Sequence, residues 1–191
     1  MEFLTKIRQV LMHPSKFFEY IKKESFQNTF FYFLVLALFS ILMIRITSRI
    51  FHPWTKDFGL FESISGMGFL LFFIIFWIFV LTGILFVWIF VWRGKGSLLD
   101  TFKILVYSKT PVFLFGWIPY VGFLANIYTF VLLIIATSKL HKISVFKSAL
   151  IYIIPLIIFA LIILIAFIIL LSNHTLSSLL AIIQNTITIY R

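Results

Sequence analysis

The chain has no cysteine, which removes disulfides, thiolate metal sites and cysteine nucleophiles together. It carries only six carboxylates in 191 residues. Glu2, Glu19, Glu24, Asp57 and Glu62 fall in terminal or loop segments, so no two acids face one another inside an apolar run, as general acid–base chemistry or a proton relay would need. The four histidines, His13, His52, His141 and His174, stand far apart without metal-ligand spacing, and each reads as a surface residue. These absences leave no catalytic residue, no metal site and no cofactor to expect, and the chain is not expected to be an enzyme. Polar side chains of any kind are scarce. Between 149 and 171 the hydroxyl of Tyr152 is the only one.

What is present is apolar. Hydrophobic residues make up 62% of the chain, where a soluble domain holds about 45–50%. A bilayer core about 30 Å thick is crossed by roughly 20 apolar helical residues, and residues 149–171 supply that by themselves. The expected fold is an all-α membrane protein. Sixteen Lys and Arg give a net charge of +10. In a membrane protein that excess belongs to loops facing anionic headgroups on the cytoplasmic side, and no nucleic-acid partner is expected. Lys6, Arg8, Lys16, Glu19, Lys22 and Lys23 interrupt the first 25 residues. No cleavable signal sequence is expected there, and the first apolar run reads as an uncleaved anchor.

The chain divides into an amphipathic cytoplasmic segment at 1–25, a transmembrane domain at 26–171 and an interfacial tail at 172–191. In the first, Phe3, Ile7, Val10 and Leu11 share a helical face, and Pro14 suits the opening of a second helix carrying Phe17, Phe18 and Ile21. Such helices lie in the membrane interface or pack on the end of the bundle. The domain is a bundle of five transmembrane helices, at about 26–50, 66–92, 98–118, 123–137 and 149–171, the last containing Pro155. A loop with Pro53, Trp54, Lys56, Asp57 and Glu62 joins the first two. The stretch from Trp117 to Gly122, with Pro119 inside it, is a short turn. In the tail, Leu176, Leu179, Leu180, Ile183, Ile187 and Tyr190 fall on one face, and Asn173-His174-Thr175 matches a glycosylation acceptor.

Five crossings with the N-terminus in the cytoplasm place ten basic residues inside (Lys6, Arg8, Lys16, Lys22, Lys23, Arg93, Lys95, Lys139, Lys142, Lys147) and four outside (Arg45, Arg49, Lys56, Arg191). The C-terminus is then outside. The third helix is unusual. It carries Asp100, Lys103, Lys109 and Pro111, with Asp100 and Lys103 spaced to pair. Pro111 breaks the helix and frees the carbonyl of Tyr107 from its usual donor. Broken backbone at depth survives only inside protein or beside a wet cavity. Ser108, Lys109 and Thr110 therefore line a small polar pocket for an anionic headgroup, or belong to a kinked helix whose Lys109 snorkels. Gly94-Lys95-Gly96-Ser97 lacks the upstream glycine of a phosphate loop and reads as a tight basic turn.

Taken together, Gly94-Lys95-Gly96-Ser97, Tyr107-Ser108-Lys109-Thr110-Pro111 and Pro119-Tyr120-Val121-Gly122 resemble the Yip (Ypt-interacting) family of membrane proteins. Tyr128, Ser144 and Lys147-Ser148-Ala149 continue the likeness, and His13-Pro14 with Phe17-Phe18 is similar to the opening of prokaryotic members. The resemblance spans roughly residues 10–170. It implies a five-helix bundle with a cytoplasmic N-terminus. It also implies the family motif residues Gly94, Gly96, Tyr107, Lys109, Pro111, Pro119, Gly122, Tyr128 and Lys147. In eukaryotic members it implies binding to prenylated Rab-type small GTPases and roles in vesicle traffic or membrane shaping. The chain departs from those members in lacking their long soluble N-terminal region and its Asp-Leu-Tyr-Gly-Pro motif. The expectation is a prokaryotic-type member in a cell membrane, a non-enzymatic scaffold acting in membrane organisation through lipids, other membrane proteins or small GTPases. The alternative is a small transporter or lipid-binding protein that uses the broken third helix.

Overall fold

The computed structural model describes residues 2–51 and 60–189, with side chains for 2–50 and 65–171. The expected loop at 53–62, the apolar face of the tail, the acceptor at Asn173, and His52 and His174 lie outside the described side chains. Among the described residues every regular element is a helix: α1 (Phe3–Met12), α2 (Pro14–Tyr20), a 3-10 turn (Ile21–Lys23), α3 (Phe26–Phe51), α4 (Leu60–Val91), α5 (Leu98–Ser108), α6 (Thr110–Phe115), α7 (Val121–His141) and α8 (Val145–Ile189). The chain forms two compact units, Met1–Ala149 and Leu150–Arg191.

Four helices have the length and composition of a membrane crossing: Phe26–Ile50, Ser65–Val91, Val121–His141 and Val145–Leu171. The sequence led us to expect five. The difference falls at the third, where α5 has eleven residues and α6 has six, each too short to cross alone. α4 shows why a bilayer is required. Only 11% of its most apolar stretch is buried, and Phe69, Phe72 and Phe90 are each about two-thirds exposed. Phenylalanine rings standing out in this way would be costly in water and cost nothing in lipid. α8 is one helix from Val145 to Ile189 with Pro155 inside it, so no break in the helix marks the expected boundary at 171.

Local chemistry sets the ends of these helices. Pro14 opens α2, where its missing N–H was never going to find a partner. α4 closes with paired bonds, Gly94 N–H to the Ile89 carbonyl at 3.1 Å and Arg93 N–H to the Phe90 carbonyl at 2.9 Å, and with Arg93 at φ 62°. That is the left-handed closure usually given to glycine. α5 opens on a capping box: Asp100 N–H donates to Ser97 Oγ, and Ser97 N–H donates to Asp100 Oδ2 at 2.8 Å. The Asp100 carboxylate is used there, and the expected Asp100–Lys103 pair is replaced by this cap.

The interior of the first unit lies where α5 packs along α7 and α4, with α3 beside α5 and α6. Residues 2–25 join it. Val10, Phe17, Phe18 and Ile21 are buried in the same cluster as Tyr32, Phe33, Tyr107 and Leu132, and α2 runs along α7. Of the two fates open to this amphipathic segment, packing against the bundle is the one these residues adopt.

Candidate functional site

The polar centre of the first unit is the junction between the N-terminal segment and α5. Glu24, between the 3-10 turn and α3, is its hinge. One carboxylate oxygen accepts Lys6 Nζ from α1, and the other accepts the Tyr107 hydroxyl from α5 at 3.2 Å. The side chains of Lys6 and Glu24 are 9% and 10% exposed, so each neutralises a charge that would be costly alone. Lys103, almost fully buried, donates from Nζ to the Lys22 carbonyl at 2.8 Å. Three links, from Lys6, Lys103 and Tyr107, thus tie residues 6–24 to one another and to α5.

Below this junction the Tyr107 ring sits 5.1 Å from Phe17, edge-on, and 4.8 Å from Tyr32. The Thr110 hydroxyl donates to the Tyr107 carbonyl at 2.8 Å. Its single proton is then spent, so the Tyr32 hydroxyl donates to Thr110 Oγ1 at 3.0 Å. The carbonyl that Pro111 leaves without its helical donor is therefore taken by a side chain one position before the proline. The break is repaired from within the chain.

At one end of α5 and α7, Gly96 N–H donates to His141 Nδ1 at 3.1 Å, and Lys95 N–H donates to the His141 carbonyl at 3.0 Å. With Nδ1 accepting, the neutral ring carries its proton on Nε2 and donates to Thr101 Oγ1 at 3.0 Å. The Thr101 hydroxyl passes its own proton to the Ser97 carbonyl. A Cβ on Gly96 would stand 2.7 Å from the His141 ring, and one on Gly94 3.0 Å from it. Both glycines are required for the approach. His141 was expected at the surface. It is 1% exposed because its two ring nitrogens are satisfied by the turn it supports.

The other motif residues occupy separate places. Pro111 is buried in the first turn of α6. Gly122 is buried against Gly116, where a Cβ would lie 2.7 Å from the Gly116 carbonyl oxygen. Pro119 is exposed in the turn, its carbonyl accepting Val121 N–H. The Tyr128 hydroxyl donates to the Leu11 carbonyl at 2.7 Å, a further tie between α7 and α1. Lys147 is exposed in the first turn of α8. Lys109 caps α5, half-buried, and among the described residues its Nζ makes no hydrogen bond or ion pair, while the neighbouring Ser108 Oγ is buried without a partner.

The structure thus brings Tyr107 together with Glu24, Thr110 together with Tyr32 and Tyr107, and Gly94 and Gly96 together with His141, but among the described residues does not gather the motif into one cavity. Glu24 and His141 were missed by sequence reasoning. The two closely spaced glycines at 94 and 96 were the signal for a bulky partner. For Glu24 there was none, since its partners lie 18 and 83 residues away.

No curated protein and no solved structure matches the chain. Residues 8–172, most of its length, match the Yip1 domain, and the chain belongs to that family of membrane proteins.

Proposed function

We propose that this chain is a non-enzymatic membrane scaffold that organises the bilayer through contacts with lipid and protein. The observation that supports this reading is where its buried polar groups go. Glu24, Lys6, Tyr107, Lys103, Thr110 and His141 are all used in joining one part of the chain to another. A transporter or enzyme would keep some of them free at a cavity, whereas Glu24, which borders a cleft, already has both carboxylate oxygens taken by Lys6 and Tyr107. Yip family proteins interact with small GTPases and membranes. For this chain the proposed partners are anionic lipids at the cytoplasmic face, other membrane proteins and small GTPases.

The proposed topology has five crossings, the N-terminus in the cytoplasm and the C-terminus outside, with α5 and α6 forming one traverse. Its support is that α7 meets this pair at both ends: His141 against Gly96 and Thr101, and Gly122 against Gly116. The eleven residues of α5, Lys109 and the six of α6 rise about 27 Å, close to the roughly 31 Å of the 21 residues of α7. Cysteines placed at Ser97 and Ser144 are labelled from the cytoplasm, and those at Glu62 and Tyr120 from outside. Labelling of positions 97 and 120 from one face removes the five-crossing topology. For the function, the purified protein is reconstituted in vesicles. The expected result is a change of vesicle shape with rising protein density and no saturable solute uptake; uptake without shape change overturns the scaffold.

A second reading rests on Lys109 and Ser108, which keep unpaired polar atoms beside the Pro111 break. It makes this stretch a small binding site for an anionic headgroup.

A further inference from the structure

A cleft of about 840 Å³ opens between α2, the 3-10 turn and the start of α3. That volume is within the range of ligand sites, roughly 300–1,000 Å³. Its charges are uneven in a way the composition does not reveal. Lys16, Lys22 and Lys23 line it together with Glu19 and Glu24, which on a count of residues comes close to neutrality. Both acids, however, are already engaged. Glu24 holds Lys6 and the Tyr107 hydroxyl, and Glu19 holds Lys139 Nζ at 2.6 Å. Lys16, Lys22 and Lys23 are exposed, and among the described residues none has a carboxylate partner. The wall therefore carries three lysines without a carboxylate partner, beside the neutral polar residues Tyr20, Ser25 and Asn28.

We propose that this cleft is a binding site for a phosphate-bearing anion, either the phosphate of a lipid headgroup or a soluble phosphate. Three lysines lining one concavity raise a positive potential there that a single exposed lysine does not create. The cleft adjoins Phe26, where the first crossing begins, which is headgroup depth for a lipid lying beside α3. The backbone that carries Lys22 is also held in place. The carbonyl of Lys22 is fixed by the buried Lys103, and the acids that would otherwise quench the lysines are kept occupied by α1 and α7. The site is distinct from Lys109, and its lipid form rests on the cytoplasmic orientation proposed above.

The test uses the full chain in detergent, where binding does not depend on orientation. Native mass spectrometry measures retention of phosphatidic acid beside phosphatidylcholine, and of added inorganic phosphate. The variant is Lys16→Gln/Lys22→Gln/Lys23→Gln, which leaves the Lys22 carbonyl and the Lys6–Glu24 and Lys139–Glu19 pairs intact. The control is Lys95→Gln/Lys142→Gln/Lys147→Gln, with the same loss of charge elsewhere. We expect the cleft variant to lose phosphatidic acid by roughly tenfold or more at unchanged melting temperature, and the control to retain it. Lysine-dependent binding of inorganic phosphate without phosphatidic acid assigns the site to a soluble anion. Equal retention of both ligands by wild type and cleft variant overturns the site, as does an equal loss in the control. An inverted labelling pattern at Ser97 would instead overturn the orientation and leave the binding result standing.

Discussion

The carboxylate of Glu24 accepts the Tyr107 hydroxyl at 3.2 Å across 83 residues of sequence, and its other oxygen is occupied by Lys6. Three separate segments, α1, the approach to α3, and α5, therefore depend on one acid. The N-terminal helices are fastened to the bundle by it.

Glu24→Gln should accordingly do more than remove a surface charge. It leaves Lys6, whose side chain is 9% exposed, as an ammonium without its counter-charge, which costs about 3–5 kcal/mol in comparable buried pairs. The expected result is a melting temperature in detergent lower by roughly 6–20 °C, with faster proteolysis before residue 25. Lys6→Met together with Glu24→Met removes both charges, and most of the loss should return. A double variant no more stable than Glu24→Gln alone would show that the pair matters for something other than charge balance.

Phe17 gives a second check on the same segment. It is 1% exposed and meets Tyr107 edge-on at 5.1 Å. Phe17→Asp removes a packed ring, worth about 3–5 kcal/mol, and buries a carboxylate in its place. An interfacial helix would tolerate that change with the bundle intact. Here the bundle itself should melt early, whereas Leu4→Asp, at a residue 75% exposed, should leave the melting temperature unchanged. Equal melting of both variants and wild type would return the N-terminal helices to the membrane interface.

At the far turn the relation between Gly96 and His141 is steric as well as polar. Gly96→Ala places a methyl carbon 2.7–2.8 Å from three ring atoms, so the ring must move and lose its bond to the Gly96 N–H. His141→Ala instead leaves that N–H without its acceptor, at a cost of about 1–3 kcal/mol. Combining the two removes the clash, so the double variant should be clearly more stable than the sum of the single effects predicts. Additive losses in thermal melts would mean that the glycine and the histidine act independently.

How much of this was legible in the sequence follows from the range of each interaction. The helices announced themselves through apolar runs and local caps, as at Ser97 and Asp100, because those signals act within a few residues. Burial of residues 1–25 was not decided there, since an amphipathic face reads the same whether lipid or protein covers it. Lys6–Glu24 and Tyr107–Glu24 were invisible for the reason that makes them informative: they span 18 and 83 residues and depend on packing that no periodicity encodes, and for Gly96–His141, 45 residues apart, the glycines signalled a bulky neighbour without naming it. The sequence counted residues 98–118 as one crossing of five, whereas the helix stops at Ser108 and restarts at Thr110, leaving pieces of eleven and six residues that are each too short to cross alone.

Lys109 separates the scaffold from the lipid-binding alternative. It stands between α5 and α6, half-buried, and among the described residues its ammonium has no partner. The break beside it does not call for an anion, because the Tyr107 carbonyl freed by Pro111 already accepts the Thr110 hydroxyl at 2.8 Å. Asp100 cannot serve either, since its carboxylate closes the cap at Ser97. An unpaired, partly desolvated ammonium costs stability wherever it does not reach water or headgroups. Lys109→Met keeps an unbranched side chain only one atom shorter and removes the charge. The expected outcome is a melting temperature that holds or rises and unchanged retention of phosphatidic acid in native mass spectrometry. Retention that falls several-fold in Lys109→Met, with the lysines of the α2–α3 cleft intact, would place an anionic ligand at the Pro111 break and make this chain a lipid-binding protein at its third crossing.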